Sequence, residues 1–216
     1  MAASSSRLLK AALPLVRTHG FTREALAQSV LALPPTEAHT EPLSETAVSA
    51  LFGNGDNARR TLINAWLDGG LQEIRSYTSA KPTVRDLLQK RLEYNEPVLR
   101  YLPEAFALLA SPQSGLPPLD PRPALKHSAR IADEVAYTSG DNSLQLEWYA
   151  RRASLATVYT AAELHQFTSP STAYAFLDSL LDTSSAVKSS IDEVSLFSSY
   201  IFKSWKGIIK SSGILS

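Results

Sequence analysis

The stretch LSETAVSALFGNGDNARRTLINAWL, residues 43–67, decides how the rest of the chain is read. Ser44 is a natural N-cap, and the short apolar run after it predicts a helix over Glu45–Phe52. Gly53-Asn54-Gly55 then stops that helix, because glycine reaches the left-handed conformation that closes a last turn. A new helix opens at Asp56 and runs to about Thr78, with Leu62, Ile63, Trp66 and Leu67 spaced to face inward. A short helix, a glycine stop and a long helix set an all-helical reading for the whole chain.

Working outward, the same periodicity recurs on both sides. Upstream, one helix is predicted through Leu8, Leu9, Ala12, Leu13, Leu15 and Val16, ending at Gly20. Thr22 caps a second, with Ala25, Leu26, Ser29 and Val30 on one face, and the proline-bearing residues 33–42 form a loop. Downstream, Pro82 suits the first position of a helix carrying Leu87, Leu88, Leu92 and Leu99, which Pro97 and Pro103 kink or break before a further piece at 104–110. Residues 111–123 hold five prolines and form the clearest loop. Helices follow at 124–137, 143–167, 171–181 and 187–210, with Thr183-Ser184-Ser185 as a linker before the last. The parts divide as 1–55, 56–183 and an amphipathic 187–212.

Composition bounds the function. The chain has 216 residues, 21 Lys+Arg against 21 Asp+Glu, and no cysteine, so thiolate chemistry and disulfides are excluded and no basic stripe marks a nucleic-acid binder. Its four histidines (His19, His39, His127, His165) show no ligand spacing. No apolar run approaches the ~20 residues of a membrane-spanning helix. Catalysis has little support: there is no Gly-rich phosphate loop and no marked Ser/His/Asp set. Glu163 and His165 lie two apart and do not share a helical face, and His127 reads as a surface or core residue rather than a base.

The pattern of residues 8–20, Phe21, and then 43–53 resembles the tetracycline-repressor family of transcription factors, which implies a helix-turn-helix-like N-terminal part and a helical ligand-binding part. The sequence departs from those repressors in its proline-rich insertion at 33–42 and in its third helix, which carries one acid and no Lys or Arg. Reading base edges takes Arg, Lys, Asn or Gln, so DNA recognition is expected to be lost and no nucleic-acid partner is expected. Residues 1–23 contain no acid and four basic residues, a composition compatible with a mitochondrial targeting segment, although the same residues form a helix the fold needs.

The most informative segment follows a second helix break. After Gly140-Asp141-Asn142, Ser143 is a natural N-cap, and Gln145, Trp148, Tyr149 and Arg152 then fall on one helical stripe. Trp, Tyr and Arg are the residues that dominate binding hot spots. From pattern alone the stripe also fits a core in which Trp148 is an anchor and Arg151 or Arg152 pairs with Asp133 or Glu134. Gly140-Asp141-Asn142-Ser143, Trp148-Tyr149-Ala150-Arg151-Arg152 and Tyr159-Thr160-Ala161-Ala162-Glu163-Leu164 resemble the signature of the mitochondrial coenzyme Q "nine" family, the lipid-binding accessory proteins of ubiquinone biosynthesis.

That resemblance implies a non-enzymatic protein without cofactor or metal, binding an isoprenoid quinone intermediate or phospholipid and presenting it to the pathway's di-iron hydroxylase. It further implies a place on the matrix side of the mitochondrial inner membrane, peripheral to it, while the repressor-like fold implies a homodimer paired through the last helices. Trp148, Tyr149 and Arg152 match the family's hydroxylase-docking patch, with Gln145 standing where an acid is expected. The repressor-like core implies a lipid pocket, for which Leu88, Leu92, Leu99, Phe106, Leu109, Leu155, Val158 and Tyr159 are candidate lining residues; periodicity does not separate them from plain core.

The last predicted helix is judged on physics. Residues 194–212 lack any acid, and Lys203, Lys206 and Lys210 fall on one edge of a helical wheel, with Phe197, Tyr200, Ile201, Phe202, Trp205, Ile208 and Ile209 around most of the rest. That distribution suits a helix lying in a membrane surface, each lysine adding about 1 kcal/mol near an anionic leaflet. Packing of this helix on the core or on a dimer partner is the competing reading. Two further functions stand beside lipid presentation: a ligand-responsive transcription factor, and a ligand-free adaptor of a biosynthetic assembly.

Overall fold

The computed structural model describes residues 2–34, 39–79, 81–112, 119–141 and 145–186, and among them every regular element is helical. In chain order these are α1 (Ala2–Ala12), α2 (Val16–His19), α3 (Arg23–Gln28), α4 (Glu45–Phe52), α5 (Asp56–Arg75), α6 (Val84–Asn95), α7 (Leu102–Ala110), α8 (Arg122–Thr138), α9 (Gln145–Thr168) and α10 (Ala173–Ala186). The chain forms two compact units, Met1–Gly69 and a second beginning at Gly70, and the division falls inside the continuous helix α5.

In the first unit the predicted caps hold. Thr22 Oγ1 accepts from Ala25 N at 3.3 Å and Ser44 Oγ from Ala47 N at 3.2 Å, starting α3 and α4. Gly53 ends α4 at φ 110°, and a Cβ there would stand 2.9 Å from Asn57 Cβ, so neither conformation nor space admits a side chain. Phe21 meets Trp66 edge-on at 6.1 Å, and Leu62, Ile63, Trp66 and Leu67 are buried as the spacing predicts. One expectation fails here. The helix predicted to run unbroken to Gly20 is divided by the turn 13–15, because Pro14 has no N–H to donate and its ring would clash in a helix with the carbonyl four residues back, that of Lys10. Short bonds from Leu15 N to Ala12 O and from Val16 N to Leu13 O take over.

In the second unit α9 packs along α8 and α10, with α6 touching all three. Leu71, Leu88, Leu92, Ile131, Val158 and Leu177, drawn from five helices, belong to one apolar core. The start of α6 differs from expectation. Pro82 precedes the helix, and Thr83 caps it through a reciprocal box: Asp86 N donates to Thr83 Oγ1 at 3.2 Å and Thr83 N to Asp86 Oδ2 at 3.0 Å. A tight 3-10 turn at Glu96–Tyr101 separates α6 from α7, as Pro97 and Pro103 predict. The linker expected at Thr183-Ser184-Ser185 is helix instead, since α10 continues to Ala186. Thr183 and Ser184 turn their hydroxyls back onto the carbonyls of Ser179 and Leu181, which satisfies them within the helix. Ser143 and residues 187–216, with the predicted amphipathic helix and all its candidate membrane residues, lie outside the described residues.

Candidate functional site

Two constellations in the second unit carry chemistry, and α9 contributes to both. The first lies near its N-terminal end. Arg152 Cζ stands 3.9 Å from the centre of the Trp148 ring, a cation–π stack one helical turn long. The guanidinium is held from behind by two acids: Nε donates to Asp133 Oδ1 at 2.9 Å, from α8, and Nη1 to Asp141 Oδ2 at 3.2 Å. Asp141 also takes Arg151 Nη1 at 3.1 Å, and its carboxylate is almost fully buried under the two arginines. Trp148 in turn meets Tyr149 edge-on at 4.7 Å. Tyr149 projects from this base with 68% of its surface exposed.

The stripe predicted from spacing is therefore divided by role. Tyr149 faces solvent, Trp148 is half-buried beneath it, and Arg152 is a strut. The Arg152–Asp133 pair is one the sequence suggested, whereas Glu134 pairs with Arg75 at 2.7 Å. Asp141 escaped the sequence reading because it lies after the end of α8, outside any helix, where no periodicity points. Gln145 opens α9, and its side chain lies outside the described residues.

The candidate lining residues separate into several places. Leu88, Leu92, Val158 and Tyr159 share the main core, while Leu155 packs with Ala132 and Ala136. Phe106 and Leu109 are buried on α7, with the Phe106 ring against His127 at 5.5 Å and Phe167 at 5.6 Å. Leu99 is half-buried in the turn after α6.

The second constellation sits among those apolar residues and consists of Arg91 and Asn95 of α6, His127 of α8, and Tyr159, Glu163 and Gln166 of α9, all buried. Glu163 Oε1 accepts from Tyr159 OH at 2.7 Å and from Asn95 Nδ2 at 3.0 Å, with His127 Nε2 at 3.4 Å. Gln166 Nε2 donates to the Leu92 carbonyl at 2.9 Å, tying α9 to α6. Arg91 Nη1 donates to Asn95 Oδ1 at 2.6 Å, and its guanidinium lies 5.9 Å from the Tyr159 ring centre. Burial pulls the His127 imidazole below its ordinary value, Glu163 returning part of the shift. Burial alone would raise the Glu163 carboxyl, but His127, the Arg91 charge and the Tyr159 hydroxyl reverse the balance and hold it below the usual carboxylate range. Burial pushes the Tyr159 phenol up. At neutral pH the cluster thus holds one guanidinium, one carboxylate and an uncharged ring pair. Among the described residues no group of three or more His, Asp or Glu is placed to hold a metal ion.

In the first unit, the candidate recognition helix α4 is pinned from α3. Arg23 donates through Nε to Glu45 Oε2 at 2.7 Å and through Nη2 to Ser49 Oγ at 2.8 Å. Glu45, Thr46 and Ala50 are the exposed positions of α4, so this helix offers no cation to a phosphate backbone.

Residues 122–194, which contain α8, α9 and the Trp148/Tyr149/Arg152 base, match the family model described as COQ9. The chain resembles the COQ9 family. It is 32% identical over 169 residues to the mitochondrial ubiquinone biosynthesis protein COQ9 of Bos taurus, covering 73% of this chain and 49% of that protein. The COQ9 protein of Drosophila melanogaster is 30% identical over 184 residues, covering 82% of this chain and 54% of its own length. The COQ9 protein of Schizosaccharomyces pombe is 27% identical over 215 residues, covering 96% and 80%. The chain thus spans about half the length of the animal COQ9 proteins it matches.

Proposed function

We propose that this chain is a mitochondrial accessory protein of ubiquinone biosynthesis, binding an isoprenoid quinone intermediate at the inner membrane and presenting it to the pathway's di-iron hydroxylase. The observation that carries this reading is Tyr149: a large aromatic side chain standing in water on a base fixed by a Trp–Arg stack and two carboxylates. Leaving that ring in water is unfavourable, and fixing its support lowers the ordering cost of a partner docking there. The relatives, named for ubiquinone biosynthesis and for mitochondria, support the pathway and the compartment. The acid-bearing, cation-free surface of α4 speaks against the repressor reading.

Replacing Tyr149 with Ala removes an exposed ring and its edge-on contact with Trp148, so stability is expected to fall by about 1 kcal/mol at most while hydroxylase binding falls at least tenfold. Pull-down with the hydroxylase and a thermal melt measure both, and unchanged binding would overturn the docking assignment. Membrane contact is assigned to 194–212, with Phe197, Ile201 and Trp205 entering the surface beside the lysines. Deleting residues 187–216 is expected to abolish flotation with anionic liposomes; full flotation by the truncated chain would place the anchor elsewhere.

A further inference from the structure

Arg91 is a fully buried side chain whose guanidinium is only partly satisfied. Nη1 reaches Asn95, but Nε and Nη2 are buried with no hydrogen-bond partner among the described residues. These two N–H groups lie on the same edge of the planar guanidinium, where they point in parallel as a fork. A buried donor left without an acceptor is costly, and a charged one more so, which is why such groups are rare and call for an explanation.

The fold gives up something else to hold this side chain. Gly70 lies within α5, where glycine weakens a helix relative to alanine. A Cβ at Gly70 would stand 2.7 Å from Arg91 Nε and 2.8 Å from Cζ, so any larger residue collides with the guanidinium. Two independent concessions, an unfilled donor edge and a glycine inside a helix, both serve the placement of one charged group in an apolar core.

The charge balance around the fork selects what completes it. Arg91 is already offset by Glu163, while His127 and Tyr159 are uncharged at neutral pH. An anionic ligand would bring an unbalanced buried charge into the cluster, whereas a neutral acceptor would not. A carbonyl oxygen has two lone pairs, one for each N–H. The neighbouring side chains Leu88, Leu92 and Tyr159 supply apolar contact for the rest of such a molecule. We infer that the Nε/Nη2 edge of Arg91 is a binding site for the uncharged carbonyl oxygen of a prenylated ring ligand. This rests on the lipid-presenting reading and adds to it the group that reads the head. Held on the fork, the ring is in a retained state, and handing it over requires the carbonyl to leave Arg91.

The test uses the full chain and three probes with one tail: geranyl-1,4-benzoquinone, geranylbenzene and geranyl phosphate, titrated separately and read by native mass spectrometry. The wild-type chain is expected to bind the quinone about tenfold more tightly than the hydrocarbon, with the phosphate weaker than the quinone. Arg91→Met is expected to bring quinone affinity down to that of the hydrocarbon. Gly70→Ala, which drives the guanidinium from its place while favouring the helix, is expected to do the same. The quinone-to-hydrocarbon ratio within each variant cancels any loss of folded protein, so a purely structural role for Arg91 would leave the ratio unchanged. A ratio retained in both variants, or absent in the wild type, overturns the inference while leaving tail binding standing. Phosphate bound more tightly than quinone, through Arg91, overturns the neutral class. Failure of the wild type to bind any of the three overturns the lipid-presenting reading as well.

Discussion

Asp141 does at the scale of one residue what no stripe of side chains does: it ties both arginines of α9 to the end of α8. Its carboxylate is nearly fully buried, so removing it leaves the largely buried Arg152 and the half-exposed Arg151 without their shared partner. Asp141→Ala is expected to destabilise the chain by about 2 kcal/mol, read in urea unfolding, and to weaken hydroxylase binding through the loosened Trp148–Arg152 stack. Asp141→Asn, which keeps the shape and one acceptor, should lose less of both. The half of this base formed by Trp148, Tyr149 and Arg152 was legible in sequence, because neighbours on a helix repeat at three and four residues. The half formed by Asp141 was not, since a residue outside any helix has no period. Arg91 and Glu163 were illegible for another reason. A charged residue on an amphipathic helix reads as solvent-facing, and only the packing of three helices shows these two to be inside.

Among the elements, the starts were easier to read than the interruptions. Ser44 and Thr22 cap where their side chains predict, because an N-cap is a local bond between a hydroxyl and a backbone N–H two or three residues on. At α6 the local chemistry was present in Thr83 and Asp86, and Pro82 drew attention from it. Thr83→Ala removes the hydroxyl that accepts from Asp86 N, leaving the backbone N–H of residue 83 to donate to Asp86, and is expected to cost about 1 kcal/mol, measurable as a lowered denaturation midpoint with an unchanged slope. A change in slope would mean that α6 has a larger part in the cooperative unit than its cap. The break at Pro14 and the continuation of α10 through its serines were misread for one cause. Proline and serine alter the local balance, but neighbouring turns decide whether a helix yields to them.

The all-helical class was readable from periodicity over the whole molecule, whereas the division into two units inside α5 follows packing that leaves no mark in composition. The pH response also belongs to the whole molecule. His127 is held below its ordinary 6.5 by burial, among Arg91, Arg130, Tyr159 and Glu163, so on acidification the unfolded chain takes up a proton that the folded chain refuses. Stability is therefore expected to fall as pH drops below about 6.5. A second loss follows from Glu163, whose carboxyl is lowered from 4.5 to about 2, as pH falls through that interval. Thermal midpoints between pH 7.5 and 5 (~0.5-unit steps) read the first window, and His127→Gln is expected to flatten it. A midpoint that holds steady down to pH 5 in the wild type would mean that His127 is not neutral in the fold.

One helix, α9, carries Tyr149 near its beginning and Glu163 near its end. At 1.5 Å of rise per residue the two are about 21 Å apart along a single rod. A rod of this kind transmits bearing as well as distance. A protein seated on Tyr149 takes a fixed heading on the buried cluster, and a tilt of a few degrees at one end becomes a displacement of an ångström or more at the other. Alignment of a bound partner with the interior of the second unit is therefore set by the stiffness of one element, with no surface required to run between them.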